Sequence, residues 1–354
     1  MHRPNRKSSV LNIWRFLDGR PGHENQVLGL TEAITRINAV DVVDVRVDEN
    51  LRGLRSLLPG NLSFADSLPS PDLLIGAGHS THLPLLACKN KFGGQTVVIM
   101  KPSLPVWMFD LCLIPAHDNL LFPTRNVLRT EGALNRIRPS VQQNPEQGLI
   151  LIGGPSKHFR WSDSAVSYQL QSVIRQSHLK WTIATSERTP ETFIRHWQTN
   201  SPHIPVVMSQ TCGPDWLPEQ LSQSGVVWVT CDSMSMIYEA LTAGSRVGLL
   251  ELAASSPGRI SANIRRLTEM SLATPWSQWM EGRELPAFIT PFSESDRCSV
   301  AVMAHFLSNS APHSQSRTLL DFLTGRSPIE NSNAQLDGIG GFAPGVRMSV
   351  RQMR

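Results

Sequence analysis

Cysteine is scarce in this chain and poorly placed for cross-links. The 354 residues hold five, Cys88, Cys112, Cys212, Cys231 and Cys298. They are odd in number, scattered, and never in a C-x-x-C pair, so neither a disulfide framework nor a zinc site is expected, and reduced thiols in a cytosolic setting are. No apolar run approaches a membrane span. The basic N-terminus leads only into Val10 to Leu17, which Asn12 and Arg15 interrupt, a poor signal-peptide core. The reading is therefore a cytoplasmic protein that could at most touch a membrane from outside. Clustered basic runs are missing as well, so the net charge of +4 suits anionic ligands or an anionic surface without pointing to nucleic acid. A G-x-G-x-x-G fingerprint is also lacking, which gives a dinucleotide site little support.

With 40% apolar and 18% charged residues the composition is globular, and the length suits two domains of ordinary size. One stretch organises the rest: Gly225 to Leu252, in which the β-branched run Val226 to Thr230 meets a small-residue turn, a short helix and another strand. Asp232 or Ser233 can cap that helix, and Ala243-Gly244 can close it in a left-handed turn. Unpaired N–H groups, the helix dipole and the hydroxyls of Ser233 and Ser235 form a natural phosphate seat, with Glu239 placed for a ribose diol. A plain α/β unit with a solvated Glu239 is the competing reading.

Val10 to Leu17 reads as a first strand emptying into DGRPGHENQ, then a helix carried by Val27, Leu30, Ile34 and Ile37. Gly19 and Gly22 allow a tight bend, and His23 and Glu24 bring groups able to move protons near the helix start. A strand at Val40 to Val47, a helix across Leu51 to Leu58 and a strand at Asp72 to Gly78 continue a βαβ alternation. Gly76 to Ser80 opens a third strand-to-helix turn, and strands at Gln95 to Lys101 and Leu111 to Pro115 follow. Ala116-His117-Asp118 lacks the further ligands a metal site requires. Arg136 and Arg138 could reach a substrate anion or face solvent.

The Gln, Asn and Pro content of Pro139 to Gly148 reads as a linker. The expected division is an N-terminal Rossmann-like domain over 1–140, a linker over 141–148, a C-terminal Rossmann-like domain over 149–308, and a partly disordered tail over 309–354. Gly148 to Gly154 is an apolar strand opening into PSKHFRW. There Gly153 and Gly154 permit close backbone approach, and Ser156, Lys157 and His158 add donors suited to a diphosphate; a tight turn with Lys157 in water is the alternative. Strands at Trp181 to Thr185 and Ile204 to Met208 alternate with helices at Pro190 to Gln198 and around Leu217 to Ser222. GRISANIRRLTEM reads as a basic amphipathic helix, and Cys298 to Leu307 as an apolar one.

WRFLDGRPGHENQVLGL, FDLCLIPAHD, GALNRIRP, LIGGPSKHFRW and TCDSMSMIYEALTAG, in that order, resemble the mitochondrial-fission-protein family, named from a plant protein of the mitochondrial surface but largely bacterial. The resemblance runs from about Val10 to about Leu307. More remotely the chain is similar to GT-B glycosyltransferases, which implies two Rossmann-like domains facing a cleft. It also implies a nucleotide-sugar donor, an envelope or lipid-linked acceptor, and chemistry needing no metal or other cofactor. In that light the donor seat would fall to Ser233, Met234, Ser235, Met236 and Glu239, with Ser156 and Lys157 from the opposite loop. His23 is the preferred base, because imidazole is the side chain suited to proton transfer near neutral pH, Glu24 is the second candidate, and Asp18 and His79 are the next on the same edge. Arg246 stands where the family and fold usually carry proline, which should alter the turn into the following strand more than the ligand seat. A non-catalytic, fission-type interaction protein is the rival implication.

Overall fold

The computed structural model describes residues 10–310 except 59, 117, 119–123, 256–257 and 288–291. Of the tail expected over 309–354, residues 309 and 310 close the last helix, and 311–354 lie outside the described residues, as does His117 of the His-Asp pair.

The first half alternates β1 (Leu11–Leu17), α1 (Pro21–Thr35), β2 (Val40–Arg46), β3 (Leu73–Ala77), α2 (His82–Phe92), β4 (Gln95–Ile99), β5 (Leu111–Pro115) and β6 (Val127–Thr130). All of these strands run parallel in a six-stranded sheet of order β2-β1-β3-β4-β5-β6. Period-two alternation sends successive side chains to opposite faces, and both faces are apolar, as a covered parallel sheet requires. Ile13, Ile75, Val97 and Leu113 meet Val27, Leu30 and Ile34 of α1 on one face. Trp14, Phe16, Leu74, Val98 and Ile114 meet Leu85 and Cys88 of α2 on the other. The helix expected over Leu51 to Leu58 is a single 3₁₀ turn, Gly53–Leu57. Leu54, Leu57 and Leu58 stay exposed, so no apolar stripe holds a longer helix there.

The second half runs β7 (Asn144–Ile152), β8 (Phe159–Arg160), α3 (Asp163–Arg175), β9 (Lys180–Thr185), α4 (Glu191–Asn200), β10 (Val206–Val207), α5 (Trp216–Gln223), β11 (Ser224–Thr230) and α6 (Met234–Ala243). It continues through β12 (Arg246–Leu250), β13 (Ala253–Ala254), α7 (Arg259–Glu269), β14 (Thr274–Pro275), α8 (Trp276–Met280) and α9 (Glu294–Ser310). Its parallel sheet has the order β10-β9-β7-β11-β12-β14. One face packs on α5, α6 and α7 through Leu221, Ile237, Leu241 and Leu267. The other packs on α3 and α4 through Val166, Leu170, Phe193 and Trp197.

Two departures from the sequence reading bear on the domain division. The polar stretch read as a linker is already strand from Asn144, because its backbone pairs with β11 at Ser224 and with β9 at Lys180; ladder pairing does not depend on apolar side chains. Helix α9, expected in the second domain, returns to the first sheet. Its Cys298, Val302, Met303 and Phe306 share the core of α1 and β1, and the spacing of those residues makes the stripe that fits that face.

In each sheet the chain reverses its direction of build once. The reversal falls between β1 and β3 in the first sheet and between β7 and β11 in the second. Ligands of open parallel sheets bind at such points, beyond the strand carboxyl ends, and the loops after these four strands carry the candidate residues.

Candidate functional site

On the first sheet the turn after β1 folds on itself. The carboxylate of Asp18, on a side chain only 1% exposed, meets His23 Nδ1 at 2.9 Å and accepts the Ser80 hydroxyl at 2.8 Å and the Arg20 N–H at 3.2 Å. Burial alone would raise the Asp18 pKa, but these hydrogen bonds outweigh it and hold the carboxyl below its ordinary value. A carboxylate on Nδ1 fixes the imidazole tautomer and leaves Nε2 as its basic nitrogen. Gly78, at φ +84°, makes the room: a Cβ there would lie 2.3 Å from His23 Nδ1. Glu24 faces the turn, accepting the Gly19 N–H at 2.9 Å. His79 is exposed beside this turn.

On the second sheet α6 begins without a side-chain cap. Ser233 occupies the N-cap position, yet its hydroxyl makes no capping bond, whereas Ser162 caps α3 by accepting the Ala165 N–H at 3.3 Å. Helix geometry leaves the N–H groups of Met234, Ser235 and Met236 without intrahelical acceptors, and the dipole favours an anion beside them. The helix closes as expected, with Gly244 left-handed at φ +88°. Arg246 opens β12 at the far edge, paired with Val226.

Asp232 does not cap α6. Its side chain, 0% exposed, turns back to accept the Gly154 N–H at 3.0 Å and to pair with Arg188 at 2.8 Å. The Gly153 N–H is held by Thr230 Oγ1 at 2.7 Å. The amides of both glycines are thus engaged within the protein. Packing is what requires the small residues: a Cβ at Gly153 would meet the Asp232 carboxylate at 2.3 Å, and one at Gly154 the Arg188 carbonyl at 1.9 Å. Ser156 stabilises its own turn by accepting the N–H groups of His158 and Phe159, and Lys157 points to solvent.

A cleft of about 610 Å³ opens at the second sheet's edge, lined by Ser186 and Arg188 after β9, by Ser209, Cys212 and Trp216, and by Ser233, Ser235 and Met236, and it reaches Pro21 of α1 on the first half. Arg188 is its cation, braced by Asp232 and by hydrogen bonds to the carbonyls of Gly154 and Pro155. Sequence reading missed this residue, although SERTP follows its strand as directly as the other loops do. A second cavity, of about 500 Å³, opens at the opposite strand ends around Gln147, Lys180 and Ser224, away from all of these groups.

Glu239 is not solvated. It lies buried on α6 and accepts the Asn25 amide of α1 at 2.8 Å. Burial pushes its carboxyl up to about 7, with the Asn25 hydrogen bond pulling the other way. Arg136, half-buried, pairs with Glu32 at 2.7 Å and lies near Asp215 at 3.8 Å. Its neighbour Asn135 donates to Thr242 of α6 at 3.1 Å, so this segment wedges between α1 and α6. Arg138 is exposed. Among the described residues no group of three His, Cys, Asp or Glu side chains is placed to hold a metal ion, and no helix is long and apolar enough to cross a membrane.

Two Rossmann-like parallel domains facing a cleft define the GT-B class of fold. Residues 21–306 match the family described as Mitochondrial fission ELM1, and the chain belongs to that family. An uncharacterised Rickettsia prowazekii (strain Madrid E) protein, RP120, is 24% identical over 292 residues, 66% of this chain and 81% of its own. Among solved structures, a candidate UDP-N-acetylglucosamine 2-epimerase from Listeria monocytogenes superposes with a TM-score of 0.56 at 10% identity, covering 87% of this chain and 99% of that one. The UDP-GlcNAc 2-epimerase of Methanocaldococcus jannaschii gives 0.55 at 9% identity, covering 83% and 99%. At such identities the likeness is one of fold.

Proposed function

We propose that this chain is a glycosyltransferase that moves a sugar from a nucleotide-sugar donor to a hydroxyl of a lipid-linked acceptor of the cell envelope, working in the cytoplasm at the inner membrane surface. The observations that carry the reading are the Asp18–His23 pair at one switch point and the uncapped start of α6, which lines the cleft, at the other. The donor diphosphate would lie against the N–H groups of Met234 to Met236, the hydroxyls of Ser233 and Ser235, and Arg188, which takes the role first given to Lys157. Glu239 would accept the ribose diol. His23, oriented by Asp18, would remove the acceptor proton through Nε2 as the new glycosidic bond forms. The same protein groups would stabilise charge on the departing nucleoside diphosphate, so this scheme calls on no metal or other cofactor. Nucleotide sugar in the solved neighbours' own names, UDP-GlcNAc in the Methanocaldococcus epimerase, makes UDP-GlcNAc the donor to try first.

The test incubates purified protein with UDP-GlcNAc and a membrane extract, and follows UDP release and acceptor mass. Sugar-dependent mass gain that disappears in His23→Ala supports the reading. Turnover that needs no acceptor would replace transfer by chemistry on the nucleotide sugar itself. Membership of a family named for mitochondrial fission favours a second reading, a non-catalytic interaction protein at a membrane surface. That reading requires an inert protein whose partner binding is indifferent to substitution at Asp18 and His23.

A further inference from the structure

The turn that carries His23 is one hydrogen-bonded unit. Asp18 holds the His23 ring and the Arg20 N–H, Glu24 holds the Gly19 N–H, and the Gln26 amide reaches the Gly22 carbonyl at 3.1 Å. Asn25 belongs to this unit, and its amide reaches α6 to bond Glu239 Oε1 at 2.8 Å. Among the described residues that is the hydrogen bond made by the Glu239 side chain. A direct bond of that length leaves no space for a ligand hydroxyl between its two partners. A diol that takes the position on Oε1 now used by Asn25 displaces that amide.

We propose that Asn25 is a positioning residue that couples the two halves of the site: it competes with a ribose diol for Glu239, and its displacement releases the His23 turn from the second domain when the donor binds. This rests on the reading of Glu239 as the ribose acceptor. The coupling is a differential contact between two states of one element, the physical requirement for a ligand to shift a conformational equilibrium. Removing the competitor should tighten binding of a diol-bearing nucleotide, and only of that kind. Loss of one hydrogen bond of ordinary net strength corresponds to a gain of about 3- to 10-fold.

Calorimetric titration of wild-type protein and Asn25→Ala with UDP and with 2′,3′-dideoxy-UDP tests this. The expected result is tighter UDP binding in the variant, about 3- to 10-fold, with the dideoxy nucleotide bound equally by both proteins. Asn25→Gln, which keeps an amide on a longer stem, should fall between wild type and Asn25→Ala. Equal UDP affinity in wild type and Asn25→Ala, with the diol still preferred over the dideoxy analogue, overturns the competition while sparing the ribose reading of Glu239. No preference for the diol in either protein overturns both. Weaker UDP binding in Asn25→Ala would make Asn25 a direct ligand of the nucleotide and overturn its role as a competitor.

Discussion

Glutamine at position 239 should abolish a pH dependence built into the fold. Burial on α6 raises the Glu239 carboxyl from 4.5 to about 7, with the Asn25 hydrogen bond opposing it. Between those two values the folded protein keeps a proton that the unfolded chain has released, so stability falls as pH rises through the window and is level above it. The contribution is fully present below 4.5 and lost by the time pH has passed about 7. At about 1.4 kcal/mol for each tenfold change in proton affinity, the full loss is about 3 kcal/mol, of which about 2 kcal/mol falls between about pH 5.5 and about pH 8.5. Glutamine keeps an oxygen to accept the Asn25 amide and has nothing to ionise. Guanidinium unfolding of both proteins at the two pH values gives the comparison, because every other titrating group cancels in the difference between them. Wild type should lose about 2 kcal/mol relative to Glu239→Gln on going to the higher pH. Parallel pH profiles would refute the argument, since they would mean that Glu239 ionises as freely in the fold as in the unfolded chain.

Four further outcomes follow from the site. Glu239→Ala should weaken nucleoside diphosphate binding by about 1.5–3 kcal/mol by calorimetry, the scale of hydrogen bonds to a charged group; unchanged affinity removes Glu239 from the ribose seat. His23→Ala should lower turnover by about 10²–10⁴ with nucleotide affinity nearly unchanged, and Glu24→Gln should do less, because Glu24 serves the turn through Gly19. Arg188→Ala should weaken diphosphate binding and lower the melting temperature together, since it strips the buried Asp232 carboxylate of its ion pair; a loss of binding without destabilisation would show that Asp232 does not depend on this cation. Burial pushes the thiols of Cys88, Cys112, Cys231 and Cys298 up to about 12, so a maleimide at neutral pH should label native protein at Cys212 first, read by peptide mass.

Much of the architecture was legible from local chemistry. Apolar runs such as Val226 to Thr230, turn glycines such as Gly244 and the spacing of Val27, Leu30 and Ile34 mark strands, caps and helix faces wherever the chain ends up. Those properties depend on near neighbours alone, which is why the α/β alternation and the strand-to-helix turns could be read in order. Which loops meet is a different matter, decided by strand order. The placement of β1 beside β3 and of β7 beside β11 puts Ser80 on Asp18 across 62 positions and Asp232 on Gly154 across 78, and no periodicity encodes either pairing. Asp232 looked like a helix cap because its local context is that of a cap; only the packed loop after β7 gives its carboxylate better partners. Arg188, α9 and the Asn25–Glu239 bond were hidden for the same reason. Side-chain type and spacing fix what a segment can do, while burial and long-range contact decide which of its groups remain available to do it.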